Sequence, residues 1–250
     1  ETILLVAPDC PNPNMREVLF LRETNEHIAI WEGHKYTKEE AEATSGIKNI
    51  QWLSNFDQVF NTVMALCANI YLNTNEHLRA GVVVETQDAR FIKKCRERFP
   101  LHTYHRSAPI MHKLRGVKEK EEIDQLQIAC DITEKGLRRI LPFVKPGVTE
   151  YEIEAEYLHE FVRNRSNGFA YQPIIASGAS ACVLHYIENH KECLAGELLL
   201  MDVGAEYGNY NADMTRTIPV SGRFTERQRA VYDAVLRVQK EASNILRIGT

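Results

Sequence analysis

Residues 198–220, LLLMDVGAEYGNYNADMTRTIPV, place two aspartates in strand-like sequence on either side of a Gly-containing turn. The flanking runs LLLM and TIPV are apolar, so the base of such a hairpin is expected to be buried. If Tyr207 and Gly208 form the turn, with glycine taking the positive φ such turns need, Asp202 falls directly opposite Asp213. Facing Cβ atoms in an antiparallel pair lie about 4.5–5.5 Å apart. A four-residue loop from Glu206 to Asn209 keeps the same register. Like charges so placed repel, and a desolvated pair takes up a proton. A divalent cation removes both difficulties, because hard cations favour carboxylate oxygens. Two ions about 3.5–4 Å apart could share the pair. Spacing alone is also compatible with a solvent-exposed hairpin and two hydrated aspartates. The crowding of Gly204, Gly208, Asn209 and Asn211 suits a polar site.

The rest of the chain narrows the classes. With 44% hydrophobic residues among 250, there is material for one large core or two modest ones. The net charge is −4 and no basic run tracks a phosphate backbone, which argues against nucleic acid. No apolar stretch approaches the roughly 20 residues that cross a bilayer, so a membrane is not an expected partner. No secretory signal is evident. Six scattered cysteines without a C-x-x-C pair read as buried free thiols of a reducing compartment, and the expected location is cytoplasmic. Both ends read as cut, since Glu1 leads straight into an apolar run and NILRIGT stops just after a helix.

Residues 1–112 read as an α/β unit. EVLFL and HIAIW suggest strands of a hairpin across the polar RETNE, and Thr37 and Gly46 bracket a helix. GVVVE reads as a buried strand and TQDARFIKKCRERFP as the helix after it. Charged HKLRGVKEKEEI sets a boundary near 113–117, and a second unit covers 118–250. Its first helix carries a stripe of Ile123, Leu126, Cys130, Thr133, Leu137 and Ile140, interrupted by KPG at 145–147. TEYE opens a second helix through a Thr149/Glu152 capping box and runs towards RNRSNG, with Gly168 beyond it. TERQ opens a third through Thr225 and Gln228, whose core face is Val231, Val235, Val238, Ala242 and Ile245.

Upstream of the aspartates, SGASACVLHYIENH carries His185 after a Gly/Ser-rich turn. It suits a histidine that hydrogen-bonds substrate or moves a proton near neutral pH. It suits equally a structural strand histidine. Tyr171 in FAYQP could be core or pocket wall.

Taken together, LRGVKEKEEIDQLQIACDITEKGL, GFAYQPIIASGASACVLHY and GELLLMDVGAEYGNYNADMTRTIPVSGRFTERQRAVYDAVL resemble the aminopeptidase P and Xaa-Pro peptidase family. The resemblance is strong after about residue 113 and weaker over 1–112. It implies an α/β N-terminal domain followed by the first half of an α+β pita-bread metallopeptidase domain. It further implies that Asp202 is a metal ligand, that Asp213 bridges two metals, and that Thr215 lies close to them. His185 resembles the histidine near the scissile bond, and Tyr171 a pocket tyrosine. The cofactor implied is two divalent ions, usually manganese. The implied reaction removes an N-terminal residue that precedes proline, by attack of a metal-bridging hydroxide, in a homo-oligomeric enzyme. A dipeptidase of the same fold, a creatinase-like hydrolase and a metal-free peptide-binding scaffold are the alternatives. The family's further histidine and two glutamates have no counterpart after Asp213. The chain is therefore expected to be inactive alone, with an unpaired apolar face.

Overall fold

The computed structural model describes residues 2–77 and 84–249. Contacts divide the chain into two compact units, Glu1–Val117 and Lys118–Thr250.

In the first unit, β1 (Thr2–Val6) pairs antiparallel with β2 (Glu17–Leu21). Helices α1 (Glu26–Glu32) and α2 (Lys38–Ser45) lead to β3 (Asn49–Trp52), which lies parallel to β2. Then follow α3 (Phe56–Met64), β4 (Asn69–Leu72), α4 (Gln87–Arg98), β5 (Thr103–Arg106) and α5 (Ala108–Gly116), with β4 parallel to β5. Phe60, Met64, Ile70 and Cys95 form the core around these last elements. Thr37 closes a capping box with Glu40, and Gly46 ends α2 at φ 75°. HIAIW is helical, not the strand its alternation suggests. Asn25 explains why, for its side chain accepts from Ile28 N at 2.8 Å and caps α1. The hairpin partner of β2 is the upstream β1. The GVVVE segment lies outside the described residues except for its last two, of which Val84 is exposed in a bend.

The second unit begins with α6 (Lys120–Phe143) and α7 (Glu150–Arg163). Strands β6 (Gly168–Phe169), β7 (Ile174–Ser177), β8 (Leu198–Val203), β9 (Ala205–Tyr207), β10 (Tyr210–Asn211) and β11 (Met214–Pro219) precede α8 (Glu226–Ile245). They form two antiparallel sheets of order β11-β8-β7 and β10-β9-β6. Alternation along β8 sends Leu199, Met201 and Val203 into a core with Ile153, Tyr157 and Phe161 of α7, leaving Asp202 on the other face.

The buried seam of α6 is Ala129, Ile132, Thr133, Gly136 and Ile140, so the expected stripe is rotated. Cys130 is exposed and so is Ile123. Small residues decide this, because a Cβ on Gly136 would lie 2.8 Å from the rings of both Tyr157 and Phe161. Bulkier positions would hold the two helices apart. α7 ends at Arg163, where RNRSNG begins, and Gly168 opens β6.

The capping box of α8 forms at Thr225 and Gln228. Its Val231, Val235, Val238 and Ile245 do share a face, but that face is exposed and α8 buries no residue.

A fully buried polar contact ties α6 to the strands. Thr133 Oγ1 donates to Ala129 O at 2.9 Å and accepts from Ala205 N at 2.9 Å, in a position 1% exposed. Thr133→Val keeps the shape and strands the Ala205 N–H, which should cost about 1–3 kcal/mol. The expected readout is a lower urea midpoint at unchanged slope.

Candidate metal centre

β8 is the central strand of its sheet, so the backbone around Asp202 is paired on both sides, with Ile174 of β7 and Thr215 of β11. Asp202 therefore faces Thr215, not Asp213. The turn accounts for the shift, because its central residues are Gly208 (φ 58°) and Asn209 (φ 66°), one position later than expected. Asparagine tolerates the left-handed region well enough to take the second place. The register moves by two, which preserves side-chain parity, and Asp213 becomes the diagonal neighbour of Asp202.

The two acids nonetheless converge. Tyr171 Oη lies 2.6 Å from Asp202 Oδ1 and 3.2 Å from Asp213 Oδ1. Asp202 is half-buried and Asp213 exposed. Tyr171 is carried there by Ala170, whose N–H donates to Gly204 O at 2.8 Å. Burial first, and then the hydrogen bond to Asp202, push the phenol well above its ordinary range, so it remains a proton donor to these carboxylates.

Gly204 makes this geometry possible. A Cβ there would overlap the carbonyl oxygen of Ala212, come within 2.6 Å of its carbonyl carbon and press on the Tyr171 ring at 3.2 Å. The strand from Asp213 can approach β8 only because position 204 has no side chain.

A single small atom already touches both carboxylates, and their hard oxygens match a divalent cation. The donor set present fits such an ion. Among the described residues no third His, Cys, Asp or Glu joins them, so the pair supplies part of a coordination shell.

His185 lies on an exposed turn after a short 3-10 helix at Gly178–Cys182, not in a strand. Its neighbour Tyr186 is buried against Ile174 and Ala176 of β7, alongside Leu200. By register and alternation these residues stand on the Asp202 face of the sheet. Thr215 is exposed beside Asp202. Sequence reasoning passed over Glu150, which reads as an ordinary first-turn acid but is fully buried.

Comparison with known proteins identifies the family. The profile of Metallopeptidase family M24 matches residues 124–250, and that of the Aminopeptidase P N-terminal domain matches residues 1–71. The Xaa-Pro aminopeptidase of Escherichia coli (strain K12) is 32% identical over 249 residues, covering 99% of this chain and 56% of that protein. That of Haemophilus influenzae is 30% identical over 231 residues, covering 92% and 51%. Among solved structures, proline aminopeptidase P II from Yersinia pestis superposes with a TM-score of 0.79 at 32% identity, covering 92% of this chain and 53% of that one. A variant of Escherichia coli aminopeptidase P in complex with substrate gives 0.78 at 33% identity, with the same coverages of 92% and 53%. The chain thus spans about half the length of the curated relatives it matches. Its two matched profiles and shared fold place it in the aminopeptidase P family, as an α/β N-terminal domain followed by part of the pita-bread domain of metallopeptidase family M24.

Proposed function

We propose that the protein acts as a metal-dependent aminopeptidase that releases the N-terminal residue from peptides with proline in the second position. The observation that carries this reading is the convergence of Asp202 and Asp213 on one hydroxyl, on the face of β8 turned away from the core. Asp202 and Asp213 would hold divalent ions, manganese first among them, which when bound polarise a carbonyl and lower the pKa of water. Tyr171 orients Asp202 through its hydroxyl. Thr215 borders the pair, and the exposed His185 is available to hydrogen-bond substrate near the bond that breaks. Two carboxylates hold an ion only weakly, so the 250 residues alone should be close to inactive.

The six cysteines are all free, with Cys130 and Cys182 exposed, which suits a reducing compartment such as the cytoplasm. Ile30 and Trp31 are more than three-quarters exposed on α1, which suits a homo-oligomer. Among the described residues no helix is long and apolar enough to cross a membrane.

The test compares manganese-supplemented cleavage of an Xaa-Pro-Yaa peptide, its Xaa-Ala-Yaa counterpart and an Xaa-Pro dipeptide. It uses a protein that carries this chain together with the rest of the length its relatives have. The expected result is release of the first residue from the longer proline peptide alone. Preferential cleavage of the dipeptide would instead identify a dipeptidase. A folded protein that cleaves none of the three and retains no metal would be a binding module.

A further inference from the structure

The edge of β7 that faces away from β8 carries a second buried polar assembly, built around Glu150. A carboxylate in the first turn of a helix ordinarily sits in solvent beside the free N–H groups. Glu150 is the first residue of α7 and 0% exposed. Its Oε1 accepts from Ser177 N at 2.7 Å, and its Oε2 accepts from Tyr186 Oη at 2.7 Å and Lys191 N at 3.0 Å. Its own N–H donates to Lys191 O at 2.9 Å. A buried charge is tolerated only when hydrogen-bonded in this way. The donors come from both ends and the interior of one segment, 177–191, which carries His185.

Asn189 completes the attachment. In a left-handed conformation (φ 45°), it accepts from Ile175 N through Oδ1 at 3.0 Å. Its Nδ2 donates to Pro173 O at 2.9 Å and Glu154 Oε2 at 2.8 Å. Ile175 and Ser177 are alternate residues of β7 whose N–H groups point away from β8. Asn189 and Glu150 thus replace a neighbouring strand along that edge. Lys191 Nζ donates to Ser180 Oγ at 2.6 Å, drawing the two limbs of the segment together.

We propose that Glu150 is a positioning residue, whose buried carboxylate holds the 177–191 segment along β7 and thereby fixes His185 relative to the paired aspartates. The catalytic consequence rests on the aminopeptidase reading; the attachment does not. The variants are Glu150→Gln, which loses at least one acceptor for an N–H, and Tyr186→Phe, which deletes one hydrogen bond and keeps the ring. Hydrogen exchange is measured on the 250-residue chain, and steady-state kinetics on the longer protein defined above. Amides of 178–191 should exchange about tenfold faster in either variant, with β8 and β11 unchanged. The kcat should fall between about 10- and 100-fold at nearly constant KM, since misplacing a group near the reacting bond acts on the chemical step. Unchanged exchange, or exchange accelerated uniformly over the second unit, overturns the proposal. So does local loosening with kcat unaltered. A wild-type protein without proline-directed cleavage overturns the functional reading instead, and the exchange pattern then decides the attachment by itself.

Discussion

Gly204→Ala should destabilise the second unit by at least about 3 kcal/mol, read as a fall in its urea midpoint. The added Cβ meets backbone, namely the carbonyl of Ala212, and no rotamer change can relieve a backbone overlap. Relief requires the segment before β11 to move off β8, which breaks the bond from Ala212 N to Ala205 O at 3.0 Å. It also displaces the Tyr171 ring, 3.2 Å from the new atom, and with it the hydroxyl between the two acids. Domains hold only about 5–15 kcal/mol in total, so much of the unit's stability would go. Gly46→Ala is the contrasting case. Its φ of 75° strains any side chain, yet nothing lies within 4 Å, so only a conformational cost of about 1 kcal/mol is expected. A fall in the second unit's midpoint for Gly204→Ala no larger than the fall in the first unit's midpoint for Gly46→Ala would show that the Ala212 carbonyl does not crowd position 204.

The caps were the most legible part of the sequence. Thr37, Thr149 and Thr225 each open a helix through a capping box, because the signal is local and the hydrogen bonds are made within four residues. Local pattern failed where burial is slight. Over HIAIW the apolar alternation mimics a strand, but Ile30 and Trp31 are exposed, so no buried face selects a period and the Asn25 cap decides for helix. The α8 stripe shows a related limit, since periodicity tells which residues share a face without telling what covers it.

At the site, the expected direct pairing of Asp202 with Asp213 was wrong, yet their convergence on one face was legible for a reason beyond the turn. A register error of two residues leaves each side chain on its original face, whereas an error of one would have separated the acids. Glu150 was not legible, because its burial depends on Ser177, Tyr186 and Lys191, none of which lies within 26 residues of it. Long-range polar satisfaction leaves no local mark on sequence.

Asp213→Asn should move metal affinity and metal-free stability in opposite directions. In the chain without metal, two carboxylates share one hydroxyl and little else, for Tyr171 can give its single proton to only one of them at a time. Asp213 is exposed and is the more distant acceptor, so neutralising it removes repulsion from Asp202 at the loss of a weak contact. Metal-free stability should stay level or rise by up to about 1 kcal/mol. Manganese affinity should fall by at least about 100-fold, as a ligand contributes more than the supporting groups whose loss costs 10–100-fold. Two carboxylates are expected to bind manganese in about the millimolar range. At ten times the dissociation constant, ligand binding raises wild-type stability by about 1.4 kcal/mol, visible as a manganese-dependent shift in Tm that the variant lacks. Asp202→Asn should lose that shift as well, but without the gain in metal-free stability, since it surrenders the 2.6 Å hydrogen bond from Tyr171. If both variants simply unfold earlier and manganese stabilises none of the three proteins, the acids are structural partners of Tyr171. The opposite signs, by contrast, are what a site produces when its charges are arranged for a cation and merely endured without one.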